Sequence, residues 1–308
     1  MPGAYSLPAT AVWFITGGSR GIGKAFATYI NDNESYRLVA AARTLTDLDY
    51  LPNAPNVLKI VLDISSSDSI KSAISKALAT FGRIDVVVNN AGYTLFGDFE
   101  AISNEQARQQ FETNFWGAVD LAREAVRVMR EENPKTGQIG GVFCQMSAVS
   151  GRVAFPGGVF YFASRFAWEG FTESLSKELP PEWNINLMTV HPAAVKTDYL
   201  KKSIVVAERH PCYVNANSGT NSMLSTIAKH HELDSFGGPE QLVEVVGEVI
   251  KEGGGGHGIP RQLAGGPDSW TVTDKALEKE KRVHQEFKSA AFRMAPQDQR
   301  APHLEAFI

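Results

Sequence analysis

Seven short apolar runs, separated by segments of helical period, constrain this chain more than any other feature. Residues 11–16, 38–42, 57–62, 84–88, 141–145 and 185–190 each read as a buried strand, with a shorter strand expected around Gln262 and Leu263. Between them lie a helix over 22–30 and a second carrying Ile70, Ala73, Ile74, Ala77, Leu78 and Phe81 at helical spacing. A long helix over 104–130 carries Phe111, Phe115, Ala118, Ala122, Ala125, Val126 and Met129 on one face. Further helices are expected over 159–178 and along Leu242, Val245, Val246, Val249 and Ile250. Strands that are apolar throughout, each followed by a helix, belong to parallel sheets covered on both faces. Right-handed crossovers then give a doubly wound α/β sheet. The 308 residues are ample for one such domain spanning 1–308.

Two segments depart from the alternation. Residues 198–237 are polar, contain His210, Pro211, His230 and His231, and show no clean period. Inserted near the carboxyl ends of the strands, they are expected to form a substrate lid, the alternative being a disordered surface loop. Residues 253–256 read as a turn before the last strand, and 269–308 as a surface extension whose thin stripe is Ala276, Leu277, Val283 and Phe287. The net charge of −4, without a dense basic cluster, argues against nucleic-acid binding. Cys144 and Cys212 are far apart and form no CxxC pair, so neither a disulfide framework nor a metal site is expected, and a reducing, cytoplasmic setting is the simplest. Residues 1–10 lack the pattern of a signal peptide, and no apolar run approaches the length of a membrane span.

The string Thr16-Gly17-Gly18-Ser19-Arg20-Gly21-Ile22-Gly23 follows the first strand and opens the first helix. Glycines there admit positive φ and a close backbone approach, while the helix N-terminus supplies N–H donors to a diphosphate. In that context the loop predicts dinucleotide binding. The second strand ends Ala41-Ala42-Arg43, where a carboxylate would take the ribose 2′-hydroxyl of NAD. Arg43 and Arg20 instead suit a 2′-phosphate, so NADP(H) is the expected cofactor. The alternative is that both arginines are solvated surface charge.

These residues resemble the short-chain dehydrogenase/reductase family. Residues 16–23 are similar to its TGxxxGIG loop, and Asn89-Asn90-Ala91-Gly92 to its NNAG, which borders the adenine side. Asp63 matches its adenine-contacting acid, Asn114 its helix asparagine, and Pro192-Ala193-Ala194-Val195-Lys196-Thr197 its PGxVxT segment at the nicotinamide. Tyr161 to Arg165 resembles YxxxK, with arginine at the last position. The likeness spans about 11–270, and the run 159–179 with Gly265-Gly266-Pro267-Asp268 looks most like the branch of retinol- and 17β-hydroxysteroid-type dehydrogenases. It implies a Rossmann-like fold, an NADP(H)-dependent oxidoreductase of carbonyl reductase or alcohol dehydrogenase type, and a homodimer or homotetramer formed through the two long helices. Cofactor contacts would come from Gly17, Ser19, Arg20, Gly21, Ile22, Gly23, Arg43, Asp63, Asn90, Ala91, Gly92, Tyr161, Arg165, Val195 and Thr197.

In the family a tyrosine exchanges the hydroxyl proton, a lysine lowers its pKa, a serine orients the carbonyl and an asparagine holds a water. Tyr161, Asn114 and Arg165 take three of these places; arginine preserves the charge but does not release a proton. The serine position falls on Ala148. Ser147 reaches the site only if a bulge rotates it, since neighbouring strand residues face opposite ways, and Ser150 is a weaker substitute. Ala193 replaces a glycine, at a cost if that position needs positive φ. Three readings stay open: a working reductase on an altered tetrad of Tyr161, Asn114, Arg165 and Ser147; a non-redox isomerase, dehydratase or cyclase; and a non-catalytic NADP(H)-binding protein. Phe155 and Phe160 are candidates for an apolar wall facing a small-molecule carbonyl or alcohol. His191 is expected to do no more than cap its strand.

Overall fold

A computed structural model describes residues 5–214, 217–229, 237–254 and 257–293. The chain runs through β1 (Val12–Thr16), α1 (Gly21–Asn31), β2 (Arg37–Ala42), β3 (Val57–Val61), α2 (Ser67–Phe81) and β4 (Val86–Asn89). It continues through β5 (Thr94–Phe96), α3 (Asn104–Phe111), α4 (Gly117–Glu131), β6 (Gly141–Met146), α5 (Val159–Glu178) and β7 (Ile185–Pro192). The last part holds α6 (Tyr199–Lys202), β8 (Ile204–Val206), α7 (Gly219–Lys229), α8 (Pro239–Lys251), β9 (Gln262–Gly265), α9 (Pro267–Glu286) and α10 (Lys288–Phe292).

Seven strands form one parallel sheet in the order β3-β2-β1-β4-β6-β7-β9. The chain reverses direction across the sheet between β1 and β4, so the crevice for a ligand opens at their carboxyl ends. Alternate residues of each strand feed two cores. Trp13, Ile15, Val88, Cys144 and Val190 pack with Phe26 and Ile30 of α1 and Val246 and Ile250 of α8. Val12, Phe14, Val87, Phe143 and Leu187 pack with Ile70 and Ile74 of α2, Leu121 and Met129 of α4, and Trp168 of α5. Two apolar faces per strand explain why the sequence shows continuous runs rather than alternation.

Local chemistry sets the helix ends. Ser66 caps α2 through Ser69 N, and Gly82 closes it in the left-handed region at φ +77°. Ser103 and Gln106 form a reciprocal capping box on α3. The expected helix over 104–130 is present with one interruption: Glu112–Trp116 is a π-helical turn between α3 and α4.

Residues 198–237 contain α6, β8 and α7, with 215–216 and 230–236, including His230 and His231, outside the described residues. β8 pairs with β5 in parallel, matching Thr94, Leu95 and Phe96 to Ile204, Val205 and Val206. Of the expected turn at 253–256, residues 255 and 256 are not described, and of the 269–308 extension the described part is α9 and α10. Residues 278–288, at the end of α9 and the start of α10, are exposed. Among the described residues no helix is long and apolar enough to cross a membrane.

Candidate active site

The glycine loop is braced from beneath. Thr16 Oγ1 accepts from the amides of Asn90 and Ala91, each at 3.0 Å, and donates to Asn89 Oδ1 at 2.8 Å. Asn90 Nδ2 donates to the carbonyls of Thr16 and Gly17 at 3.2 and 3.3 Å. Gly17 and Gly21 hold φ of +65° and +53°, which a side chain would strain. A methyl group on Gly23 would meet Gly17 O at 2.2 Å, so this cradle requires glycine. Arg20 precedes α1 without a side-chain cap, and Ser19, Gly21 and Ile22 are partly open around the N–H groups of the first turn. Arg43 and Asp63 are exposed at the ends of β2 and β3. Asp63 is held below the usual carboxylate range, first by hydrogen bonds from Ser65, with burial opposing and the charge of Arg43 adding.

On the far side of the crevice Tyr161, Arg165 and Glu169 follow one another at intervals of one turn on α5 and are buried. The Arg165 guanidinium carbon lies 5.2 Å from the centre of the Tyr161 ring. Its Nη1 donates to Met146 O at 3.2 Å, while its Nε is buried and makes no hydrogen bond within the protein. A methyl group on Gly92 would lie 3.2 Å from both Arg165 Nη2 and Asn114 Oδ1, so these two side chains meet over a glycine that leaves them room. Asn114 sits in the π-helical turn, accepts from Tyr93 N at 3.1 Å and donates to Tyr93 O at 2.8 Å. The extra residue of that turn is what aims Asn114 at the strand ends.

Burial alone pushes the Tyr161 phenol up. The charge of Arg165 is the largest effect opposing it, and the phenol lies below its usual value. Burial would likewise lower Arg165, but the phenols of Tyr161 and Tyr199 keep it charged.

Ser147 is not brought to this cluster. Its N–H is fixed by the carbonyls of Gln145 and Val190, and its hydroxyl donates to Glu169 Oε1 at 2.9 Å. Ser150, in the short turn Val149–Gly151, is buried and its hydroxyl has no hydrogen-bond partner within the protein. Ala148 is extended at φ −164°, and Ala193 does not have positive φ, so the methyl group there carries no backbone strain. Val195 and Thr197 reach the loop side, with the Thr197 side chain against Gly21.

The chain matches the short chain dehydrogenase family over residues 11–205. It is 38% identical over 249 residues to the oxidoreductase calM of Penicillium decumbens, covering 80% of this chain and 81% of that protein. An uncharacterised oxidoreductase, C162.03 of Schizosaccharomyces pombe, is 34% identical over 204 residues, 66% of this chain and 67% of that one. A short-chain dehydrogenase from Streptomyces avermitilis superposes with a TM-score of 0.79 at 25% identity, over 93% of this chain and all of the other. The chain belongs to the short-chain dehydrogenase family.

For a short-chain dehydrogenase, three residues around this site were not among the sequence candidates. Glu169 gathers Ser147, His191 Nε2 at 2.9 Å, and Thr189 and Gln262 at 3.2 Å each. Burial would raise its carboxyl, but His191 and the hydroxyl donors hold it below the usual range. Its place one turn after Arg165 on the same helix face was the available signal. His191 therefore has an acid partner that lies distant in sequence. Tyr199 is the third: its hydroxyl is hydrogen-bonded to Thr94 Oγ1. Nothing in its local sequence marks it.

Proposed function

We propose that this oxidoreductase is an NADPH-dependent carbonyl reductase, running in reverse as an alcohol dehydrogenase, on an apolar small molecule. The observation that carries the reading is the buried Tyr161 phenol, drawn below its usual pKa by the Arg165 guanidinium beside it. The chain's own residues fit the cofactor: Gly23 leaves a cradle that one methyl group would fill, and Arg165 Nε is buried with a donor to spare. Gly17, Ser19, Arg20, Gly21, Ile22 and Gly23 would hold the diphosphate, with Arg20 and Arg43 for a 2′-phosphate. Asp63, Asn90, Ala91 and Gly92 would border the adenosine, Tyr161 and Arg165 the nicotinamide ribose, and Val195 and Thr197 the carboxamide.

When bound, NADPH supplies the hydride. Tyr161 gives its proton to the carbonyl oxygen, and Arg165 stabilises the phenolate that remains. Arg165 keeps its own proton, so the site differs from one with lysine, where a relay through that position is available. Ser150 takes the place left by Ala148, and Asn114 fixes the backbone of Tyr93 beside the site. The substrate wall is apolar: Phe96 and Phe162 cluster with Tyr161, packed by Phe155 of the strand-end loop and by Ile204, Met223 and Ile227 of the 198–237 segment, which we take as the lid. Phe160 faces a separate group with Leu95, Ile102 and Ala207. We further infer a cytoplasmic homodimer or homotetramer joined through α4 and α5, beside which Trp116 and Phe166 are exposed.

Tyr161→Phe is expected to lower NADPH oxidation with an apolar diketone by at least about 100-fold while leaving NADPH affinity within a few-fold. Full activity in that variant would end the mechanism.

A further inference from the structure

Glu169 takes no part in the proton transfer, yet its buried carboxylate gathers donors from the ends of three strands. Oε1 accepts from Ser147 Oγ and His191 Nε2, each at 2.9 Å. Oε2 accepts from Gln262 Nε2 and Thr189 Oγ1, each at 3.2 Å, the Thr189 hydroxyl being shared with Arg261 O at 3.0 Å. Burial would raise this carboxyl, but His191 and the hydroxyls hold it below the usual range, so it is an ionised acceptor and His191 Nε2 is the donor. Ser147 directly follows β6, Thr189 and His191 lie two apart on one face of β7, and Gln262 opens β9.

These anchors adjoin the working parts of the site. Arg165, one turn before Glu169 on α5, donates from Nη1 to Met146 O, so two successive residues at the end of β6 are gripped by two side chains of one helix. The turn Val149–Gly151, which carries Ser150, rests on the carboxylate: a methyl group on Gly151 would stand 2.9 Å from both Glu169 Oε1 and Ser147 Oγ. His191 is followed at once by Pro192 and the 192–197 segment, whose Thr197 lies against Gly21.

Resting on the cofactor placement and the reductase reading above, we propose that Glu169 is a positioning residue for the nicotinamide half of the site: its carboxylate ties the 192–197 segment, through His191, to the end of β6 and to the turn carrying Ser150. The loop that would hold the diphosphate is braced separately, by Thr16 and Asn90. Losing the junction therefore loosens one half of the cofactor site and spares the other. A reacting ring held about 1 Å out of place can cost about 100-fold in rate.

The test compares two ligands that differ only in the nicotinamide, NADPH and 2′-phospho-ADP-ribose, by calorimetric titration of the full chain. Should the wild type prefer NADH, NADH and ADP-ribose serve as the pair. Glu169→Ala is expected to weaken NADPH about tenfold and 2′-phospho-ADP-ribose by no more than about twofold, and to lower kcat with an apolar diketone at least about 30-fold. Glu169→Gln, whose amide oxygen still accepts from Ser147 and His191, is expected to stay within about threefold of wild type throughout. A variant that was merely less stable would move both ligands together or neither. Equal losses for the two ligands in folded Glu169→Ala, or a loss in Glu169→Gln matching that in Glu169→Ala, overturns the proposal. Should Glu169→Ala fail to fold, Gly151→Ala takes its place, because its methyl group displaces the carboxylate or the Ser147 hydroxyl, and an unchanged ratio of the two affinities there overturns the proposal. The ratio is read without turnover, so the two readings fail separately. A changed ratio in a protein that reduces no carbonyl upholds the junction and refutes the reductase, and an unchanged ratio in an active reductase does the reverse.

Discussion

On the NADP(H) reading proposed above, Arg43 is, with Arg20, a residue whose side chain would set the preference between the two forms of the cofactor. It is exposed at the end of β2, close enough for its charge to lower the carboxyl of Asp63. A phosphate on the ribose would gain a charge-assisted partner there, whereas a bare hydroxyl would find no acceptor at this residue. Arg43→Ala is expected to weaken NADPH binding about tenfold and to leave NADH binding nearly unchanged. Fluorescence titration with both nucleotides checks this, and equal losses, or a wild-type preference for NADH, would count against NADP(H). At this scale the sequence was legible wherever a residue's place follows from an adjacent strand or helix, as for Gly23, Asn114, Tyr161 and Arg165. Ser147 and Ser150 were not distinguishable by counting, because the answer depends on how the chain turns after Met146. Tyr199 was hidden for a stronger reason: only tertiary contact brings its hydroxyl to Thr94 on β5.

Among the elements, the helix over 104–130 was plain from its apolar stripe, and its π-helical turn was not. Four residues further on, the stripe resumes on nearly the same face, so one extra residue leaves little trace in the pattern. β5 and β8 were equally invisible, since each has three residues and neither alternates. Their pairing is reinforced by Asp98, which is buried and accepts from Arg209 Nε at 2.7 Å and Nη2 at 3.3 Å and from His210 N at 3.1 Å. Burial works against the Asp98 carboxylate, yet Arg209 and the His210 amide hold its pKa below the ordinary value. Its contribution to holding the segment after β8 is therefore complete above the ordinary carboxylate pKa of about 4 and is lost as pH falls through the depressed value. Asp98→Asn is expected to raise limited proteolysis within 199–214 about tenfold at neutral pH, and the wild type should approach that rate only in acid. Equal cleavage of both proteins at neutral pH would show that this ion pair does not hold the segment in place.

Over the whole molecule, the parallel sheet was the most legible feature, because its inner strands β1, β2, β4 and β6 bury both faces and read as nearly unbroken apolar runs. What the runs could not show is how the floor of the sheet is fastened. Asn133, fully buried after α4, accepts from Ile84 N at 3.1 Å and donates to the carbonyls of Ile84 and Gly140 at 2.8 Å each. It joins the approaches to β4 and β6 far from Tyr161's end of the strands. Asn133→Ala is expected to cost about 3 kcal/mol by stranding these backbone groups, measured as a lower urea midpoint, with cofactor affinity preserved below the transition. The opposite end of the molecule is built on another principle. The hold of β8 on β5 is partly made by main-chain pairing, which is indifferent to the side chains that β8 carries, and Val205 and Val206 are exposed. On the lid reading proposed above, side chains of β8 could therefore change the shape of the rim without loosening the strand pairing that holds it.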